Sequence, residues 1–323
     1  MTMRHPKDSS GRQELLPWLA VLALFLTFPA WLGEYWLGSA IVGLFYVMMA
    51  ASWNLLAGFT GQVSFAHAAF AGVGAHTSGI LAVKLGLHPL LGVPIGVAAA
   101  ALLSLGLGAL CIRMGGIYLS LTTLAFSEIL RLVINNEYQV TRGTMGLKVP
   151  FILGDYSKAT AFYLMLAAAA VVLLVIRWLL KSDLGLMFRA VQNDEVAADS
   201  LGVPVTRIRV TAFVVSGAMA GLAGGLYGHY LTLITPHIPS LDLMFLVLAM
   251  AVIGGMGTFA GPVVGALFLE VLAEYIRVWG EFHVLIFSLV ALGFARFLPG
   301  GIVGLATAWL TRRPARSGKG GAA

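Results

Sequence analysis

An all-α, polytopic membrane fold is predicted by three features of this 323-residue sequence. Mean hydropathy is +0.91. Charged residues make up 11% of the chain, whereas a water-soluble domain carries roughly a quarter. Apolar runs of about 20 residues recur along its length, which is what a helix rising 1.5 Å per residue needs to cross a bilayer core. Together these predict about ten transmembrane helices in one membrane-embedded domain over residues 1–323. A soluble domain is excluded. The net charge of +6 calls for no nucleic acid, because an excess of Lys and Arg on cytoplasmic loops produces it. A single cysteine, Cys111, rules out an internal disulfide and a Cys-rich metal site. No metal, cofactor or catalytic residue is predicted.

In chain order, the basic start (Arg4, Lys7, Arg12) resembles a signal peptide. The apolar stretch Leu15 to Leu32 is long, however, and no small-x-small site closes it, so a retained first span is expected after a tail over 1–14. Spans are then placed near 15–33, 38–57, 63–84, 89–112, 116–135, 159–180, 208–231, 241–256, 260–279 and 282–299, with a second tail at 312–323. Ten spans with a cytoplasmic N-terminus return the C-terminus to the cytoplasm. Assigning all 20 Lys and Arg residues to the nearer side puts 14 inside and six outside, the six being Lys84, Arg131, Arg142, Lys148, Lys158 and Arg277. That asymmetry agrees with the positive-inside rule.

Two spans are not plain hydrophobic rods. Gly58 to His76, GFTGQVSFAHAAFAGVGAH, mixes Thr60, Gln62, Ser64, His67 and His76 with glycines, so part of it is expected to be unwound or buried against protein rather than lipid. Interrupted helices of this kind line solute paths in several transporter folds. Glu128 and Arg131 stand one turn apart in SEILR, where charges at membrane depth must pair or face water; pairing with each other near the outer interface is one reading, a place in the path the other. Gln62, Ser64, His67, Thr122 and Glu128 are therefore the candidate path residues. Gly217, Gly221 and Gly225, and then Gly257, Gly261 and Gly265, recur every fourth residue, a spacing that lets helices pack closely where lipid supplies no hydrophobic drive.

The longest polar interval lies between two apolar runs. KSDLGLMFRAVQNDEVAADSLGVPVTRIR, Lys181 to Arg209, holds eight charged residues. Within it Gly185 to Leu201 is expected to form one short helix, ended by Gly202 and the following Val-Pro. A structured polar helix between spans, over 181–207, is a candidate docking element.

Five blocks now carry a family resemblance: WNLLAGFTGQVSFAHAAFAGVGAH, GGIYLSLTTLAFSEILRLVINN, LMFRAVQNDEVAADSLGVPVTRIRVTAFVVSGAMAGLAGGLYGHYLTLITP, VIGGMGTFAGPVVGALFLE and FLPGGIVGL. In this order, over about residues 40–307, they strongly resemble the permease subunits of bacterial high-affinity branched-chain amino acid ABC importers, in particular the longer, M-type permease. The resemblance implies the ABC importer permease fold and a second, homologous permease. It also implies two cytoplasmic ABC ATPases and a periplasmic or lipid-anchored amino-acid-binding protein. Ala197, Ala198 and Gly202 match the two alanines and the glycine of the ATPase-coupling pattern Glu-Ala-Ala-x-x-x-Gly. Val196 stands in the Glu position, with Glu195 one place earlier, and Arg189 and Asp194 belong to the same implied coupling element. Other departures are Ser64-Phe65-Ala66-His67 where relatives often have Ser-Leu-Gly-His, Thr141-Arg142-Gly143 where they often have Thr-Gly-Gly, and His76 in place of a frequent tyrosine.

No G-x-x-x-x-G-K-[ST] loop is present, so the energy source is a partner or an ion gradient. The expected function is a permease for branched-chain or related hydrophobic amino acids. Three alternatives compete with it. A permease of the same family could carry urea or short amides. An ion-driven carrier would use Glu270 and Glu274, with Arg277 as a salt-bridge partner for Glu274. An intramembrane enzyme would rest on Ser64 and His67, three residues apart, with no orienting third group.

Overall fold

The computed structural model describes residues 23–111, 114–154, 157–276 and 300–311, together with positions 289, 292, 293 and 296. Eleven helices are labelled here: α1 (Glu34–Thr60), α2 (His67–Leu85), α3 (Pro89–Leu110), α4 (Gly116–Asn136), α5 (Lys158–Lys181), α6 (Asp183–Asn193), α7 (Glu195–Ser200), α8 (Val205–Leu231), α9 (Leu241–Gly255), α10 (Gly261–Ile276) and α11 (Gly301–Thr311). Eight of them fall on the expected spans from 38–57 to 260–279. Six, namely α1 to α5 and α8, are long and apolar enough to cross a membrane. The chain is an α-helical, polytopic membrane protein. The first expected span is described only from residue 23, and 23–31 is helical. Most of the span at 282–299, both tails and Arg277 lie outside the described residues. Among the described residues, two helices are additional to the expected set: a single turn at Tyr138–Thr141, and α11, which packs on α9 and α10.

Local sequence explains where the helices stop. α1 ends at Gly61, whose φ of 72° returns the chain in the left-handed region while its N–H reaches the Leu56 carbonyl. α3 begins with Pro89 at its first position, and the His88 ring accepts a hydrogen bond from Leu90 N. The expected single helix over 185–201 is two helices. Asp194 is extended (φ −158°, ψ 109°) and breaks it, because its carboxylate accepts from Val196 N and Ala197 N, both at 2.9 Å, and so caps α7. The end of α7 is the predicted one, with Gly202 at φ 84°.

At the core α8 packs against α2, α3 and α1. The Gly217, Gly221 and Gly225 ladder is the seam between α8 and α3. A Cβ added at Gly221 would lie 2.5 Å from the Ala100 Cβ, and one at Gly217 would collide with Ser104. Three glycines outside the ladder are packed on backbone: Gly224 on the Ala71 carbonyl, Gly74 on the Gly221 carbonyl and Gly96 on the Gly74 carbonyl. In the second set, Gly261 and Gly265 begin α10 against the Gly255 and Met250 carbonyls, whereas Gly257 (φ 76°) lies in the turn before it.

Past the end of α8 the chain forms β2 (Leu233–Ile234), antiparallel to β1 (Leu147–Lys148), with Leu147 opposite Ile234. His229 fastens this end. Its Nδ1 faces the Pro150 carbonyl at 2.9 Å, which can only accept, so Nδ1 carries the proton and Nε2 accepts from the Ser78 hydroxyl at 2.7 Å.

Because Gly224 abuts backbone that cannot rotate away, Gly224→Val is expected to force α8 off α2 and reduce the folded, monodisperse protein recovered in detergent several-fold, as overpacking does. Gly106→Ala, where an added Cβ meets nothing within 4 Å, should leave the size-exclusion profile unchanged.

Candidate functional site

The expected break in the 58–76 stretch falls at residues 61–66, between α1 and α2. This linker is held by three hydrogen bonds, from α1 and α4. Trp53 Nε1 donates to the Ser64 carbonyl (2.8 Å), Ser120 Oγ to the Val63 carbonyl (2.9 Å), and Phe65 N to Thr123 Oγ1 (3.0 Å). Ser120 and Thr123 belong to α4, so that helix is fastened to the linker.

Beside the linker sits Arg209, in the first turns of α8. By sequence it was one more positive charge on a loop, yet only 7% of it is exposed. Its guanidinium makes three directed contacts: Nη1 to Glu195 Oε1 at 2.9 Å, Nη2 to the Met114 carbonyl at 2.7 Å, and Nε to Gln62 Oε1 at 3.3 Å. One side chain thus joins α7, the approach to α4, and the linker. Gln62 adds bonds from Nε2 to Thr60 Oγ1 (2.9 Å) and towards the Arg209 carbonyl (3.5 Å). α6 is pinned separately, by Gln192 Nε2 donating to the Gly58 carbonyl at 2.7 Å. Asn54 binds the turn between α9 and α10 through Thr258 O and Gly257 N.

The candidate coupling residues divide by exposure. Ala198 is buried against the core and Glu195 holds Arg209, while Arg189, Asp194, Ala197 and Gly202 face outward. The most exposed apolar side chains of this element are Val196 at 76% and Leu201 at 86%.

The candidate path residues divide as well. Gln62, Ser64 and His67 are buried. Ser64 Oγ accepts from Ala66 N at 3.2 Å. Both ring nitrogens of His67 lack a hydrogen-bond partner, so Ser64 and His67 form no dyad; α2 starts only at His67, and the two share no helical face. Thr122 and Glu128 lie on α4, partly exposed but about 120° apart at 100° per residue, hence on different flanks. Glu128 pairs with Arg131, whose Nε donates to Glu128 Oε2 at 2.9 Å and whose Nη2 donates to Oε1. The carboxylates weighed for an ion-driven carrier are engaged by α1: Tyr35 OH donates to Glu274, and Ser39 Oγ to Glu270 at 3.4 Å. Among the described residues no group of three or more His, Cys, Asp or Glu side chains could hold a metal ion.

Long apolar helices closed by backbone-to-backbone contact, with a polar helix pair clamped at one end, define a polytopic membrane protein of the permease class. The chain belongs to the family described as branched-chain amino acid transport system / permease component, whose sequence model matches residues 35–295. It is 29% identical over 306 residues to the high-affinity branched-chain amino acid transport system permease protein LivM of Escherichia coli, covering 86% of this chain and 72% of that one. The LivM protein of Salmonella typhimurium is 28% identical over the same shares. A probable branched-chain amino acid transport permease protein LivH of Methanocaldococcus jannaschii is 26% identical over 71% of this chain and 76% of its own. No solved structure matches the chain.

Removing the clamp tests its role. Arg209→Ala deletes three hydrogen bonds from a charged donor, each worth about 1.5–3 kcal/mol, and leaves Gln62 and the Met114 carbonyl unsatisfied. Thermal unfolding of the purified protein should move down by several degrees, and cleavage by a Glu-specific protease after Glu195 should speed up. Arg209→Lys, which keeps the charge but not the planar fork, should fall between the two.

Proposed function

We propose that this chain is a transmembrane permease subunit of an ATP-binding cassette importer of branched-chain or related hydrophobic amino acids in a bacterial inner membrane, with both termini cytoplasmic. It forms the translocation path with a second, homologous permease. Two cytoplasmic ATPases drive it, and a periplasmic or lipid-anchored binding protein delivers the solute. The similarity of this one sequence to both LivM and LivH relatives supports a pair of related permeases. The catalysis of ATP hydrolysis lies in the partners, since the chain itself has no phosphate-binding loop of the Walker type.

The observation that carries this reading is the α6–α7 element. It is polar, lies between two spans, and is clamped to the core from below by Arg209 and Gln192, yet presents Val196 and Leu201 outward. Two large apolar side chains this exposed on one short polar element suit a surface that a partner covers. The occupant is the ATPase. ATP-driven closure moves α7, and Arg209 passes that motion to the 61–66 linker and to the start of α4 in the same step. For the nucleotide to shift the permease between its outward-open and inward-open states, the ATPase must bind this surface differently in the two. Ala197 and Gly202 lie on the same outer surface, whereas Asp194 acts by capping α7.

Val196→Glu with Leu201→Glu is expected to leave the protein inserted and folded, because neither side chain is packed inside it. ATPase subunits should no longer co-purify with the tagged variant, and leucine uptake by cells should fall about tenfold or more. Normal co-purification and uptake would overturn the assignment of this surface.

A further inference from the structure

We propose that Glu128 and Arg131 on α4, with Asp242 at the start of α9, form a site in the translocation path for the α-ammonium and α-carboxylate groups of an amino acid. The proposal rests on the reading of the chain as an amino acid permease and deepens it.

Three observations converge on this place. First, α4 is the least enclosed of the six long spans: 22% of its most apolar 18-residue stretch is buried, against 83% for α1. Its buried stripe, Leu119, Thr123, Ser127 and Ile134, faces the protein, and Glu128 lies beyond the flank of that stripe. Second, Glu128 is near the middle of its helix. Glu128 is about 18 Å from the start of α4 and about 12 Å from its end at 1.5 Å per residue. A charged side chain facing lipid near the bilayer centre costs about 2.5–3.5 kcal/mol even on lenient scales, so this face meets water or protein in the assembly. The Glu128 and Arg131 side chains are nonetheless 31% and 32% exposed in the single chain. Third, the charges form an asymmetric set. Arg131 pairs with Glu128 on its own helix, and α9, whose first turn carries Asp242, packs against α4, giving one guanidinium and two carboxylates on this helix pair.

That set is complementary to a zwitterion. The guanidinium offers a planar fork of donors matched to a carboxylate, and the flanking carboxylates accept from an ammonium. Leu124 and Leu132, one turn on either side of Glu128, supply the neighbouring apolar surface for a hydrocarbon side chain. Without solute the site satisfies itself through the Glu128–Arg131 pair. The arriving solute exchanges one ion pair for two, so the affinity stays low enough for release, as a path site requires.

The experiment uses cells in which the chromosomal gene is deleted and the full chain, wild type or variant, is restored, with tritiated L-leucine as the probe and detergent-extracted folded protein measured in parallel. Deletion should abolish ATP-driven leucine uptake and the wild-type chain should restore it; if deletion leaves uptake intact, the functional reading fails and the site with it. Given that restoration, Arg131→Gln and Glu128→Gln should each lower uptake about tenfold or more at normal levels of folded protein. The exchange variant carrying both Glu128→Arg and Arg131→Glu separates the site from a merely structural ion pair. A structural pair works in either order, and uptake would return to the wild-type level. In the proposed site the exchange leaves position 131 negative on the helix pair that also carries Asp242 and removes the guanidinium from its place, so folded protein is retained while uptake stays low. Full uptake by the exchange variant, or by Arg131→Gln, would overturn the site while leaving the permease assignment standing.

Discussion

The guanidinium of Arg209 is the constraint on which the working end of this protein depends. Taking an ion of that size out of water costs several kcal/mol unless its partners replace the lost hydration. The partners come from three directions: a carboxylate on α7, a carbonyl before α4 and a side-chain amide in the α1–α2 linker. The desolvation cost is offset only while all three stay in place. Displacing α7 alone would strand a buried charge, so α7, the linker and the foot of α4 move together or not at all. Arg rather than Lys suits the post because three acceptors at different angles need a rigid planar set of donors.

From this clamp a chain of hydrogen bonds runs outward: Glu195 to Arg209, Arg209 to Gln62, then through the linker to Ser120 and Thr123 on α4. Gln192 ties α6 to the last turn of α1, and Asn54 ties that helix to the turn before α10. The linker is therefore a junction rather than a slack connection. Its non-helical backbone is tolerated at depth because Trp53, Ser120 and Thr123 satisfy its polar groups.

Hydropathy alone made eight of the described helices legible, because spanning a bilayer imposes length and composition together. The Gly217 to Gly225 ladder was legible from its spacing. Gly74, Gly96 and Gly224, which sit directly on neighbouring carbonyls, were not, since no regular spacing marks a glycine whose partner is on another helix. The polar interval at 181–209 was legible as an element but not in its details. Nothing local distinguishes Asp194, which turns its carboxylate back on the next helix, from an acid facing solvent. Arg209 was counted with the loop charges because sequence position does not say whether a side chain folds inward. For the same reason Ser64 and His67, with the composition of a wet path, turn out to be enclosed, and the polar exposure falls instead on α4.

The contrast between these two kinds of packing locates the motion that the proposed cycle requires. α2, α3 and α8 meet at Gly74, Gly96 and Gly224 through glycine on backbone, and contacts that tight admit discrete rearrangement rather than gradual deformation. They form the body. α4 meets that body more lightly, through a short contact with α2 and bonds between its hydroxyls and the linker backbone, and it makes a short approach to α9. Such bonds can be exchanged for others at little net cost, since each contributes only about 0.5–1.5 kcal/mol overall. A displacement delivered at α7 therefore meets its least resistance along the linker and α4, the helix whose free face carries the ion pair. The same lever that would be driven by nucleotide closure thus carries the charges placed to meet the solute.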